Sequence, residues 1–258
     1  MKDLDFKYLR LLEFQKVRPS FWCSDEYFRK AEFKEIDDNG VIYIQDKEGS
    51  LMFPPLDSML NYQHPIFQTP SWTSFAKMNG LLKDAIFFDY EYIYDPKAFL
   101  NMTGKKWQVF RKNCRKYPAR YQGQELKYIK VENHNDEMKV SELIDQWMRD
   151  INWNEIHDGE VMIQYLFHGQ NREILIDEQG DAHGLNVWDE NYMFINYRFC
   201  ISLNLPFLSE YMRYLFYIHQ AKQNKLVNDG GVLDNPNLKR FKDKLNPIEV
   251  NKIYSWRK

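Results

Sequence analysis

The segment from Leu226 to Trp256 restricts the fold most, because it predicts four successive elements. A short apolar run ends at Asn228-Asp229-Gly230-Gly231, a sequence typical of a turn. Asn235 then precedes Pro236, and this pair predicts a helix N-terminus, because Asn caps helices and Pro is favoured at the first helical position. Helical spacing continues to Asn246-Pro247, and an apolar strand follows. Strand, polar turn, short helix and strand together predict a mixed α/β fold.

Positive charge is concentrated in two places. The predicted C-terminal helix carries Lys239, Arg240, Lys242 and Lys244. The segment 96–124 contains eight of the 35 Lys and Arg residues and none of the 37 acids, although the whole chain has a net charge of −2. A basic segment on an acidic body predicts one surface for an anionic partner, and a merely solvated helix face stays open as the alternative.

Two stretches resemble a known family. The run from Val227 to Pro247 resembles the C-terminal signature of a bacterial family related to the catalytic domain of phosphatidylglycerol lysyltransferase. A second match lies at 89–117, where this family typically has Tyr-x-Tyr-Asp, Leu-x-Gly-Lys-Lys-aromatic, an Arg-Asn pair and a final aromatic. The residues that fit are Tyr92, Tyr94, Asp95, Gly104, Lys105, Lys106, Trp107, Arg111 and Tyr117. Lys112 stands where the family usually has Asn.

The resemblance implies the acyltransferase fold named after the Gcn5-related N-acetyltransferases (GNAT), often present as two modules in tandem. Periodicity alone predicts the GNAT order for residues 123–258: two helices, three strands, a helix, a strand, a helix and a strand. Residues 1–122 show fewer clear helices. We therefore predict a mixed α+β protein with a degenerate N-terminal module at 1–122 and a complete module at 123–258.

The N-terminal half gives several local predictions. A helix is expected at 4–17, and a hairpin at 41–45 and 51–53. A further helix is expected at 71–84 and an aromatic strand at 85–94. The basic segment is expected to be helical from Lys105 to Lys116, before Pro118.

Composition narrows the class of protein. No window approaches eighteen apolar residues, and the N-terminus lacks the apolar core of a signal peptide, so we predict a cytoplasmic protein without a transmembrane segment. Cys23, Cys114 and Cys200 are odd in number and widely spaced, as is usual in a reducing compartment. The six histidines show no metal-binding spacing, and we predict no metal site.

In a GNAT module two central parallel strands diverge, and the acyl donor enters the gap. By resemblance the diverging strands are 192–202 and 226–229, whose candidate gap-facing residues are Asn196, Tyr197, Arg198, Asn228 and Asp229. We predict that Asn228 and Asp229 orient the acceptor. Tyr197 or Tyr254 is the predicted proton donor to the leaving group.

The segment that would bind a donor pyrophosphate is unusual. Ser202 to Phe207 contains no Gly, Arg or Lys, and Pro206 removes one N–H group, which argues against a conventional acetyl-CoA enzyme. The resemblance implies a different donor, because the related lysyltransferases take their acyl group from aminoacyl-tRNA, and this is the favoured donor. Its phosphates are expected to contact Lys239, Arg240 and Lys242. The donor, through the tRNA 3′ end, or an anionic acceptor is expected to contact Lys105, Lys106 and Arg111.

The predicted function is transfer of an acyl or aminoacyl group from a phosphate-bearing carrier to an amine or hydroxyl. Transfer is direct, without a covalent enzyme intermediate or a permanently bound cofactor, and the acceptor is a small molecule, a lipid head group or a peptide. Two alternatives stay open: an acyl-CoA-dependent N-acetyltransferase, and a non-catalytic module that kept the fold and binds a partner.

Overall fold

The protein was studied as a computed structural model, which describes residues 6–14, 16, 18–50, 52–53, 86–121, 124–150 and 159–255. The helices are α1 (Lys7–Phe14), α2 (Asp25–Lys30), α3 (Ala98–Asn101), α4 (Gln108–Lys116), α5 (His134–Asp150), α6 (Gly159–His168), α7 (Leu208–Gln220) and α8 (Pro236–Lys244). The strands are β1 (Lys34–Asp38), β2 (Val41–Gln45), β3 (Ile86–Tyr94), β4 (Lys127–Lys130), β5 (Asn171–Ile176), β6 (Ala182–Glu190), β7 (Phe194–Ser202), β8 (Leu226–Asn228) and β9 (Glu249–Ser255). Short 3₁₀ turns cover Lys105–Trp107 and Pro118–Tyr121.

In the described part of the chain, seven strands form one mixed sheet in the order β4-β5-β6-β7-β8-β3-β9. Strands β4 to β7 form an antiparallel meander. Strand β8 is parallel to β7, and β3 is antiparallel to both β8 and β9. This order places the parallel pair at the centre of the sheet, which is the GNAT arrangement predicted from the sequence.

The two faces of the sheet are covered by different parts of the chain. One face packs against α7 and α8 through an aromatic cluster that includes Tyr94, Tyr197, Phe216 and Tyr217. The opposite face packs against α1, α2, α5 and α6. We call these the α7 face and the α2 face. Alternation along β7 sends Tyr197 to the α7 face, where its ring stacks on Phe216 at 3.9 Å, and Arg198 to the α2 face.

Most predicted elements are confirmed. Strand β2 has the predicted bounds and pairs with β1, a strand that was not predicted. Asn39 and Gly40 connect β1 and β2 with φ values of 53° and 89°, a conformation suited to a tight hairpin. After β2, the Met52 N–H donates to the carbonyl oxygen of Ile44. Phe53 follows as a fully buried core residue, and its ring centroid lies 5.3 Å from that of Phe28.

Strand β3 connects the two halves of the sequence. It precedes residue 122, but its partners β8 and β9 both follow it. The division into tandem modules stays a prediction. The helix expected at 71–84 lies outside the described residues. Among the helices of the described segments, none is long and apolar enough to cross a membrane.

Candidate active site

Strands β7 and β8 part after a short parallel ladder. Their pairing covers Phe194–Leu226, Ile195–Val227 and Asn196–Asn228, although β7 continues to Ser202. Beyond Asn228 the chain stays with β3: the Asp229 N–H donates to the carbonyl of Tyr92 at 2.9 Å, and Tyr92 N–H donates to Gly230 at 3.1 Å. The β8-facing main-chain groups of β7 after Asn196 therefore have no strand beside them in the described structure.

Two local features maintain this divergence. On β7, Arg198 is the extra residue of a β-bulge, because Val187 pairs with Phe199 and Trp188 pairs with Tyr197. Beyond β8, the Asp89 carboxylate accepts hydrogen bonds from the N–H groups of Val232, at 3.0 Å, and Leu233, at 3.1 Å. A bulge bends β7 on one side, and a carboxylate holds the following loop on the other.

A cavity of about 1320 Å³ lies at the divergence. On the α7 face it is lined by Tyr197, Cys200, Arg213 and Lys242. On the α2 face it is lined by residues that include Phe21, Tyr27, Tyr165, Arg198 and Phe199. Because its lining comes from both faces, the cavity passes through the sheet where the ladder ends.

Arg198 is held rigidly on the α2 face. Its Nε donates to Asp189 Oδ2 at 2.9 Å, and Nη2 donates to Asp189 Oδ1 and Ser24 Oγ, both at 3.0 Å. Its Cζ atom lies 4.3 Å from the Phe21 ring centroid and 4.7 Å from that of Tyr27. The Asp189 carboxylate also accepts hydrogen bonds from Ser24 Oγ at 2.6 Å, Asn196 Nδ2 at 2.9 Å and the Tyr165 hydroxyl. One buried carboxylate thus fixes the guanidinium at the cavity wall.

A second charged group lies on the α7 face. The Asp229 carboxylate accepts hydrogen bonds from Arg213 Nη1 and, at 3.0 Å, from the Tyr217 hydroxyl. Lys242 Nζ lies 3.3 Å from Asp229 Oδ1 and donates to the main-chain carbonyls of Asp229 and, at 2.6 Å, Gly231. Burial lowers the pKa of Lys242. These contacts fix the loop that follows β8.

The predicted catalytic residues are only partly brought together. Asp229 and Tyr197 line the cavity, whereas Asn228 is buried beside it and accepts from Gly230 N–H at 3.0 Å. The Tyr197 hydroxyl donates to Asn186 Oδ1, and burial raises its pKa well above the ordinary value. Tyr254 lies on edge strand β9, opposite Phe87, and does not line the cavity. Their catalytic roles stay predictions.

Of the six predicted phosphate-binding cations, Lys242 alone lines this cavity. Lys239 forms an exposed ion pair with Asp243 at 2.8 Å, and Arg240 contacts Pro236 and Asn237 of its own helix. Lys105 and Lys106 are exposed, and Arg111 donates to the carbonyl of Met102. The cations of α8 therefore divide into a surface group and one buried residue.

Sequence reasoning missed Arg213, which lines the cavity, and the residues that hold Arg198 at the cavity wall. Arg213 received no role, although it lies on the buried stripe of α7 with Phe216, Tyr217 and Gln220, where a cation is unusual. The partners of Arg198, Ser24 and Asp189, are distant in sequence, and no local signal identifies them. No cluster of His, Cys, Asp and Glu in the described segments has the arrangement of a metal site.

Two buried carboxyl groups lie near Arg198. Glu91 on β3 accepts from the Phe21 N–H at 2.6 Å, and Glu26 on α2 accepts from the Gln170 N–H at 3.0 Å. Burial raises the pKa of each carboxyl to about 7. Both groups can therefore change protonation near neutral pH.

The loop before α7 has the position that the GNAT resemblance requires. It follows β7 and leads through Pro206 to Phe207, which adopts a left-handed conformation (φ 71°) at the start of α7. Two cations lie over the Phe207 ring: Lys116 Nζ at 4.2 Å and Arg120 Cζ at 5.8 Å from its centroid. These cations come from the basic segment at 96–124.

The sheet order, the short parallel ladder and the through-sheet cavity define a GNAT-like acyltransferase fold. Solved structures agree. A conserved protein of unknown function from Bacteroides thetaiotaomicron is 15% identical, with a TM-score of 0.70, covering 97% of this chain and 91% of that one. The structure of L-PGS from Bacillus licheniformis is 15% identical, with a TM-score of 0.61 and coverage of 98% and 92%.

The family named from the sequence is also found among the structural neighbours. The C-terminal DUF2156 domain of a putative lysylphosphatidylglycerol synthetase from Agrobacterium fabrum is 10% identical, with a TM-score of 0.62, covering 96% of this chain and 90% of that domain. At these identities the likeness shows a shared fold. No family model matches the sequence, and no curated protein matches it significantly.

Proposed function

We propose that the protein transfers an acyl or aminoacyl group from a carrier to an amine or hydroxyl acceptor within the cavity between β7 and β8. The supporting observation is that the cavity is lined from both faces of the sheet. Donor and acceptor can then approach from opposite sides and meet without a covalent enzyme intermediate. A non-catalytic module would be expected to have a filled or closed gap instead.

The chemistry requires little from the protein. The acceptor nitrogen or oxygen attacks the acyl carbonyl carbon, its bond to that carbon forms, and the carbon–oxygen bond to the carrier breaks. The acceptor proton is transferred to the departing carrier oxygen. Main-chain N–H groups of β7 beyond Asn196, free of a strand partner, are suited to the developing oxyanion.

The favoured carrier is aminoacyl-tRNA. The loop before α7 lacks glycine and cations and contains Pro206, which disfavours a bound pyrophosphate. The C-terminal domain of a putative lysylphosphatidylglycerol synthetase shares the fold, and that name refers to a lysyl group joined to a lipid. An acyl-CoA donor is the alternative that the test must distinguish.

Thermal unfolding with acetyl-CoA, uncharged tRNA or a pool of aminoacyl-tRNAs tests the donor, because a ligand of the native state raises the unfolding temperature. We expect stabilisation by aminoacyl-tRNA that exceeds that by uncharged tRNA. Stabilisation by acetyl-CoA alone would establish the alternative donor.

The site is tested with a matched pair of variants at Cys200, which lines the cavity. Cys200→Phe should block the gap and abolish deacylation of bound aminoacyl-tRNA in the presence of added amines, whereas Cys200→Ala should retain it. Equal rates in both folded variants would place the reaction elsewhere.

A further inference from the structure

Arg213 presents an open edge to the cavity. The residue is 9% exposed, and its Nη1 donates to Asp229. Its Cζ atom lies 4.9 Å from the Tyr197 ring centroid and 5.2 Å from that of Phe241, so aromatic rings hold the guanidinium in place. Within the described structure, Nε and Nη2 have no hydrogen-bond partner, although Arg213 lines the cavity.

The neighbouring charges leave this edge available. Lys242 shares Asp229 with Arg213, so two cations contact one carboxylate. Asp89, a second carboxylate that lines the cavity, accepts from the main-chain N–H groups of Val232 and Leu233. No described carboxylate is therefore placed to pair with the remaining N–H groups of Arg213.

The geometry suits a particular chemical group. Nε–H and one Nη2–H of a guanidinium point in parallel and bind two oxygens of one carboxylate or phosphate. A carboxylate or a phosphodiester presents two such oxygens and carries one negative charge.

We propose that the Nε/Nη2 edge of Arg213 is an anion subsite that binds a carboxylate or phosphodiester of one substrate on the α7 face. The assignment of this anion to a substrate rests on the proposed function. Binding itself can be measured without transfer.

The test uses full-length protein labelled with ¹⁵N-arginine and observed through the Nε–H resonances. Arg213→Lys assigns the Arg213 signal by its loss. Acetate, dimethyl phosphate and chloride are titrated at matched ionic strength. We expect a saturable shift of the Arg213 signal with acetate, dimethyl phosphate or both. The Arg149 signal, from an exposed arginine of α5, should change only as it does with chloride.

The two organic probes distinguish the source of the anion. Saturation with acetate alone indicates a carboxylate, saturation with dimethyl phosphate alone indicates a phosphodiester, and saturation with both supports the shared subsite. A linear, chloride-like response of Arg213 to both probes would overturn the proposal, whatever the transfer assay gives.

A variant pair separates the guanidinium from the general charge of the cavity. Arg213→Gln/Asp229→Asn removes one cation and one anion together, so it avoids an unpaired buried carboxylate and leaves Lys242 in place. We expect the binding constant of the active probe, measured by calorimetry, to weaken by at least about tenfold, the loss of one strong charge-assisted contact. Arg149→Gln, at an exposed arginine of α5, should leave it unchanged. Unchanged binding in the folded double variant would contradict the assignment to Arg213.

Discussion

Arg198 and Asp189 form an ion pair across adjacent strands, with side chains that are only 1% and 2% exposed. The pair joins β6 and β7 at the bulge and also holds Ser24, the N-cap of α2. It therefore links the centre of the sheet to the N-terminal segment that covers it.

Removing one partner of this pair should be costly. Asp189→Asn removes the carboxylate that is hydrogen-bonded to the buried Arg198, and we expect the free energy of unfolding to fall by about 3–5 kcal/mol. Urea denaturation measures the change. Lys239→Gln, which removes the exposed pair with Asp243, should cost less than about 1 kcal/mol. Similar losses in the two variants would show that the Arg198–Asp189 pair is not desolvated.

Glu91 should make stability depend on pH. Its pKa is about 7 in the folded protein against an ordinary 4.5, so the folded state holds the proton more tightly than the unfolded state. The contribution of this protonated carboxyl group to the unfolding free energy is complete below about pH 4.5 and is lost as the pH rises through about 7. Between pH 5 and pH 8 the unfolding free energy of the wild type should therefore fall by about 3 kcal/mol relative to that of Glu91→Gln. Denaturation at each pH measures this difference.

The control for this titration is Glu160→Gln, because the Glu160 side chain is 92% exposed. Its stability curve should run parallel to that of the wild type. If the Glu91→Gln curve also runs parallel, Glu91 is ionised normally in the folded protein.

Gly231 should not tolerate a side chain. A Cβ atom at this position would collide with the Asp89 carboxylate, which holds Val232 and Leu233. We expect Gly231→Ala to lower the unfolding free energy by about 1–3 kcal/mol, as overpacking does. Gly159→Ala meets no atom within 4 Å and should be neutral or slightly stabilising. Equal thermal stabilities of the two variants would contradict the tight packing of the loop after β8.

The N-terminus of α8 should depend on Asn235, whose side chain accepts from the N–H groups of Asn237 and Leu238, both at 3.0 Å. Asn235→Ala should lower the unfolding free energy by about 1 kcal/mol, as measured by thermal or chemical denaturation. Asn235→Ser should retain most of the wild-type value, because serine also caps helices. A failure of serine to restore stability would mean that the asparagine acts by another contact.

Local signals were sufficient for much of the fold. Asn235 and Pro236 begin α8 as predicted, and the aromatic strand at 85–94 is observed as β3. Strand β1 was missed because its sequence, KEIDD, has no apolar alternation and its side chains are largely solvated. Next to β2, the predicted contact of the 51–53 segment is present at Met52, whose N–H donates to the carbonyl of Ile44, although 52–53 do not form a regular strand.

The site was less accessible to sequence reasoning. The resemblance correctly placed the divergence of β7 and β8, and Lys242 and Asp229 line the resulting cavity. Charge counting could not separate Lys242 from Lys239 and Arg240, because burial on one side of a helix depends on what packs there. The partners of Arg198 come from distant segments, which only the folded chain brings together.

The position of β3 constrains how the protein is made. This strand is synthesised before its sheet neighbours β8 and β9, which both lie far later in the sequence. The central sheet therefore cannot form until β8 and β9 have been synthesised. Until then β3, which is rich in aromatic residues, has no hydrogen-bonded strand on either edge. Nascent chains shortened before β8 should consequently depend on chaperones, and assembly of the finished chain should be slow for its size.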